Sequence, residues 1–159
     1  MLWGREPLSI KRLRGFLFTD ITSSKQTELE NKQLNSAIQE LPSPVLVWDK
    51  NDKLILGNDE AKKRFQKFSG NKLDKNLTRQ KMTYNAVYKG HILPPNGMTK
   101  KEFLDSRNKE YANLKGNQTF QNIHNNGKIN IVSATKLSDG GMLQFFTDIT
   151  EIMISVISV

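Results

Sequence analysis

The chain contains no cysteine. That single absence removes disulfides, thiolate nucleophiles and sulfur metal sites, and it fits a reducing compartment, so a cytoplasmic location is expected. Histidine is almost as scarce, with His91 and His124 alone. Two histidines without cysteine cannot complete a usual zinc set, so no metal is expected. Long hydrophobic runs are also missing. The longest, at residues 152–159, falls well short of the roughly 20 residues a membrane-spanning helix needs. The first ten residues carry Arg5, Glu6 and Pro7 where a secretion signal would be apolar. No phosphate-binding glycine loop, zinc-protease helix motif or nucleophile elbow occurs. No catalytic residues and no enzyme activity are therefore expected.

What is present is the composition of one globular domain with some extra chain. The 159 residues are 36% hydrophobic and 25% charged, enough for a single core. The net charge is +8, which raises the question of nucleic acid. Its distribution answers against a specific nucleic-acid partner. Lys62-Lys63-Arg64 and Lys100-Lys101 are short and lie beside Asp59, Glu60 and Glu102, the pattern of a solvated surface.

Phe18-Thr19-Asp20-Ile21-Thr22 recurs as Phe146-Thr147-Asp148-Ile149-Thr150, about one domain length later. Each copy follows an apolar, strand-like stretch. The second copy is expected to close a domain, and the first to close an earlier, mostly missing one. Between them, Ser23 with Gln26 fits a capping box, opening a helix over residues 23–41. Leu34, Ile38 and Leu41 have the spacing of a short coiled-coil seam; a helix packed on its own domain is the alternative. Pro42 and Pro44 end it.

Val45–Trp48 and Lys53–Leu56 flank an Asn/Asp cluster and predict a hairpin. Asn58 is positioned to cap the helix that follows, with Asp59 and Glu60 at its positive end. Thr99 and Glu102 form a capping box for a helix to about Leu114. Gln118–His124 and Lys128–Leu137 flank Asn126-Gly127, a hairpin signal, and Asp139-Gly140-Gly141 turns the chain into Met142–Phe146. Strands at both ends with helices between them indicate an α+β domain with an antiparallel sheet.

In this order the segments resemble the PAS family. Leu41-Pro42-Ser43-Pro44 and the strand ending at Asp49 look like its entry. Asn51–Ile55 is similar to its first hairpin, and Asn58 with Ala61 to the opening of its next helix. Asp139-Gly140-Gly141 and Phe146–Thr150 are similar to its last strand and terminal Asp-Ile-Thr. The resemblance spans about residues 38–151. It implies a five-stranded antiparallel sheet with helices packed on one face, preceded by a linker helix. The central helices resemble a bacterial subtype found upstream of histidine kinase and cyclase domains. Residues 1–22 then look like the last strands of a preceding copy, 23–41 like a linker helix and 42–151 like the PAS domain. Residues 152–159 form an apolar tail, and truncation at both ends is expected.

The function the resemblance implies is that of a sensory module of bacterial two-component signal transduction, without an activity of its own. It would bind a small ligand, dimerise with a second copy, and pass a signal to an output domain. Asp148, Ile149 and Thr150, with Asp20 and Thr22 in the first copy, are the expected signal-coupling residues. Tyr84, Tyr88, Phe103, Phe120 and Ile131 are the expected pocket lining. The cofactor stays unassigned: there is no cysteine for a flavin adduct, and both histidines fall in loops, which argues against haem. The alternatives are a ligand-free protein–protein interaction module and a fragment of a histidine kinase or nucleotide or diguanylate cyclase.

Overall fold

The computed structural model describes residues 8–68 and 73–157, with the backbone alone for residues 8–21. The chain divides into two units, one ending at Ile38 and one beginning at Gln39.

The first unit is helical. Helix α1 runs Leu8–Gln39, and its side chains are exposed from Thr22 to Ala37. This corrects the expected strands over residues 15–22 and the expected linker-helix bounds. The physical reason is pairing. Two strands without a sheet to join are marginal, whereas a helix satisfies its backbone bonds within the segment. The helix stops short of Leu41 because a residue before proline resists the helical conformation. Trp3 and Arg5-Glu6-Pro7 lie outside the described residues.

The second unit begins with strands β1 (Val45–Trp48) and β2 (Leu54–Gly57), then helix α2 (Asp59–Phe65) and one 3-10 turn at Gln66–Phe68. Helix α3 (Arg79–Tyr88), strand β3 (Ile92–Leu93) and helix α4 (Lys100–Ala112) form the middle. Strands β4 (Asn117–His124), β5 (Ile129–Lys136) and β6 (Met142–Asp148) follow, and helix α5 is Thr150–Ile157. Three helix starts are built by short polar side chains. Asn58 accepts from the Ala61 N–H, Thr78 from the Lys81 N–H, and Thr99 pairs reciprocally with Glu102.

The sheet has the order β2-β1-β6-β5-β4-β3, every neighbouring pair antiparallel. It has six strands, not the expected five. Ile92 and Leu93 add the sixth by pairing with His124 and Ile123 at the open edge. The fold is α+β. Alternation sends Leu46, Trp48, Phe120, Val132, Ala134, Met142 and Phe146 into the core, where Ala61, Phe65, Met82, Val87, Phe103 and Leu104 meet them from the helices. At the β5–β6 turn a side chain on Gly141 would stand 2.5 Å from the Trp48 carbonyl oxygen, so this close approach requires glycine. Among the described residues, no helix is long and apolar enough to cross a membrane.

Candidate functional site

The inner sheet face is apolar at the β1 side and polar toward β4. Asn122 and His124 of β4, Asn130 of β5 and Gln144 of β6 line a cavity of about 40 Å³. A single water requires roughly 10–15 Å³, so the space suits about three waters or a very small ligand. Phe65, Phe68, Met82 and Ala86 close it from the helix side, and α4 contributes Arg107 and Tyr111. Phe103, Arg107 and Tyr111 share a helix face because they are four residues apart.

Arg107 is only 8% exposed. Its guanidinium carbon lies 4.7 Å from the Phe120 ring centre and 5.1 Å from that of Phe103. One amino group donates to the Gln121 carbonyl at 3.2 Å and to Asn122 Oδ1 at 3.4 Å. Its nearest carboxylate, Glu110, is half exposed and 3.8 Å away. Burial lowers the Arg107 pKa, with Tyr111 and Glu110 opposing, yet arginine remains cationic at neutral pH. The cavity therefore holds a weakly compensated positive charge.

Asn130 is 8% exposed. Its amide nitrogen lies 3.0 Å from His124 Nε2, and its Oδ1 is buried without a partner among the described residues. Burial pushes the His124 pKa down, and Lys67 adds to this while Asp148 opposes. The imidazole and the Asn130 amide share this contact, and Asn130 Oδ1 is left without a donor among the described residues. On the other side of the cavity Gln144 accepts from Trp48 Nε1 at 2.7 Å and donates to the Tyr111 hydroxyl at 2.8 Å. Burial raises the Tyr111 pKa, so the phenol stays protonated. Outside, a surface recess of about 320 Å³ shares Phe65, Phe68, His124 and Asn130 with the cavity and adds Lys63, Arg64, Lys67 and Lys128 together with the Asp148 carboxylate.

None of the expected pocket residues lines this cavity. Tyr84 and Tyr88 are 51% and 45% exposed, stack on each other at 4.3 Å, and line an open surface recess of about 530 Å³ between α3 and α4. Phe103 and Phe120 are buried beneath Arg107 but do not line the cavity. Ile131 pairs with Thr147 on the opposite sheet face, because Asn130 and Val132 take the inner positions. Sequence reasoning missed Arg107, Asn130 and Gln144. A signal for the last two exists: each is a polar residue at an inner position of a strand whose other inner positions are apolar.

The second Phe-Thr-Asp-Ile-Thr copy forms the junction of β6 and α5. Thr150 donates its N–H and its hydroxyl to Asp148 Oδ1, and these bonds hold the Asp148 carboxyl below the usual range. The same hydroxyl accepts from the Ile129 N–H at 2.9 Å, and the Ile149 N–H donates to the Ile129 carbonyl. Ile129 adjoins Asn130, and Asn130 sits opposite Asp148 in the sheet. Of the first copy, Thr22 is exposed within α1, and the side chain of Asp20 lies outside the described residues.

Comparison with protein-family models and with curated proteins finds no match. Among solved structures, the PAS domain of an HTR-like protein from Haloarcula marismortui is similar at 12% identity and a TM-score of 0.47, covering 80% of this chain and 98% of that one. A PAS domain from a two-component sensor histidine kinase gives 16% and 0.42, with 77% and 98% covered. The PAS domain from Bordetella pertussis BvgS gives 13% and 0.44, with 84% and 92% covered.

Proposed function

We propose that this chain is a PAS-type sensory module whose interior cavity binds a short organic acid and whose α5 carries the result to an output domain. The reading rests above all on Arg107, a buried cation that lines the cavity and whose one ion-pair partner among the described residues, Glu110, is half exposed at 3.8 Å. Two further features support it. Asn130 Oδ1 lacks a donor among the described residues, which a hydroxyl or protonated acid would supply, and the adjoining recess carries Lys67 and Lys128 beside the Glu60-paired Lys63 and Arg64, an excess of positive charge over Asp148 that would draw an anion in. The PAS assignment itself is supported by the ordered motifs from Leu41-Pro42 to Asp148-Ile149-Thr150 and by the antiparallel sheet that carries them. Asn130 and Thr150 would transmit occupancy, since the first lines the cavity and the second bonds the residue beside it. The module acts as a homodimer and has no catalytic role. Exposed Ile152, Ile154, Val156 and Ile157 on α5 are consistent with a helix that is covered in its working assembly.

The test is titration with acetate, pyruvate and malonate at fixed ionic strength, followed by calorimetry and thermal unfolding. One of these acids should bind saturably. Arg107→Gln should weaken it about tenfold or more, and Asn130→Asp, which sets a negative charge against the acid, should do the same. Equal binding by both variants and the parent would refute the reading. The small cavity volume favours a second reading, an interaction module with no ligand. Native mass spectrometry separates the two: an added mass on the dimer supports the sensor, and a bare dimer unresponsive to all three acids supports the interaction module.

A further inference from the structure

A second cavity, of about 180 Å³, opens where the β1–β2 hairpin, the β5–β6 turn, the start of α3 and the end of α4 converge. Arg79 is its most unusual wall. The residue is 3% exposed, yet its guanidinium is only partly partnered. Nε donates to Asp52 Oδ1 at 3.0 Å, and Nη2 reaches Asn108 Oδ1 at 3.3 Å. The guanidinium carbon packs 4.1 Å from the Tyr111 ring centre. Nη1 is buried and has no partner among the described residues. Asp52, Asn108 and Tyr111 all line this same cavity, so the guanidinium is framed by its wall.

The charges around it are unbalanced. Asp52 divides its carboxylate between Arg79 and the Gln80 N–H. Asp49 uses one oxygen on the N–H groups of Asn51 and Lys53. Lys50 and Lys136 also line the cavity, and neither forms an ion pair among the described residues. Three cations thus face two carboxylates, of which Asp52 has both oxygens engaged and Asp49 one. A buried arginine amino group with two free N–H donors is built to receive an oxygen acceptor.

We propose that this cavity is a second ligand site, for a small oxyanion (a phosphoryl or carboxylate group) held by the Arg79 guanidinium and flanked by Lys50 and Lys136. It is separate from the interior cavity and does not depend on that cavity having a ligand. The two share Tyr111 as a wall.

The test uses the full chain and inorganic phosphate, with malonate as the carboxylate arm, at constant ionic strength. Amide NMR shifts would be followed at Gln80, Asn108 and Gly140 for this site, and at Asn122 and Asn130 for the interior cavity. Saturable shifts at the first group are expected, and the anion that produces them at the lower concentration identifies the headgroup. Arg79→Lys removes the fork and keeps the charge; it should weaken binding about tenfold. Because Arg79 is buried, the exposed pair Lys50→Ala/Lys136→Ala serves as a variant that keeps the core intact, and it too should weaken binding. Shifts that follow ionic strength alone, or that survive unchanged in the double variant, would overturn the proposal. Shifts confined to Asn122 and Asn130 would overturn it while leaving the interior site standing.

Discussion

Asn58 has no exposed surface. Its side-chain oxygen accepts from the N–H groups of Val45 and Ala61, both at 3.0 Å, and its nitrogen donates to the Ser43 carbonyl at 2.8 Å. One side chain therefore caps α2 and pins the start of β1. Asn58→Ala removes a cap worth about 1 kcal/mol and leaves buried backbone groups unpaired at about 1–3 kcal/mol. We expect a loss of about 2–4 kcal/mol, read as a lower urea midpoint with an unchanged slope. The helix-capping half of this role is legible in Asn58-Asp59-Glu60. The bonds to Val45 and Ser43 are not, because they join residues 13 and 15 positions away. The same limit hid Arg107. Its neighbours Phe103 and Tyr111 are on its own helix, but Phe120 and the Gln121 carbonyl come from a strand that only folding brings near.

At the scale of elements, Phe-Thr-Asp-Ile-Thr is a controlled comparison within one chain. Residues 18–22 lie inside α1, whereas residues 146–148 finish β6 and Thr150 opens α5. The difference lies in neighbours. Phe146 pairs with Val132 and Asp148 with Asn130, and strand preference is expressed only where such partners exist. The second copy also gains a bond outside the motif, from the Ile129 N–H to the Thr150 hydroxyl. Thr150→Val keeps the shape and removes that hydroxyl. It should cost about 1–2 kcal/mol and speed amide exchange at Ile129 and the first turn of α5. Unchanged exchange there would show that the hydroxyl does not hold the junction. Loop chemistry was the most readable part of the elements. Asn126-Gly127 and Asp139-Gly140-Gly141 turn where expected, with Gly127 and Gly140 at φ 83° and 90°, a region that glycine enters freely. The two-residue strand β3 was not readable, since its only signature is its pairing with β4.

For the whole molecule, every residue of the core cluster lies at Leu46 or later. The second unit therefore contains its own core, and removing residues 1–38 should leave a domain that unfolds cooperatively with its β-sheet signal intact. Far-UV circular dichroism during a thermal melt checks this; a broad, non-cooperative melt would mean that α1 is required for the fold. The sequence by itself determined what needs only neighbouring residues: the α+β class, the caps at Asn58 and Thr99 though not the expected Ser23 box, which lies inside α1, the hairpin turns, and the absence of thiol and disulfide chemistry. The tertiary structure decided the rest. It placed α1 where strands were expected, added a sixth strand, turned Ile131 outward and left Tyr84 and Tyr88 exposed. It also gathered Arg107, His124, Asn130 and Gln144 around one cavity. The reason is physical: periodicity fixes which face of an element is apolar, but a buried polar cluster exists only through contacts between elements far apart in the chain.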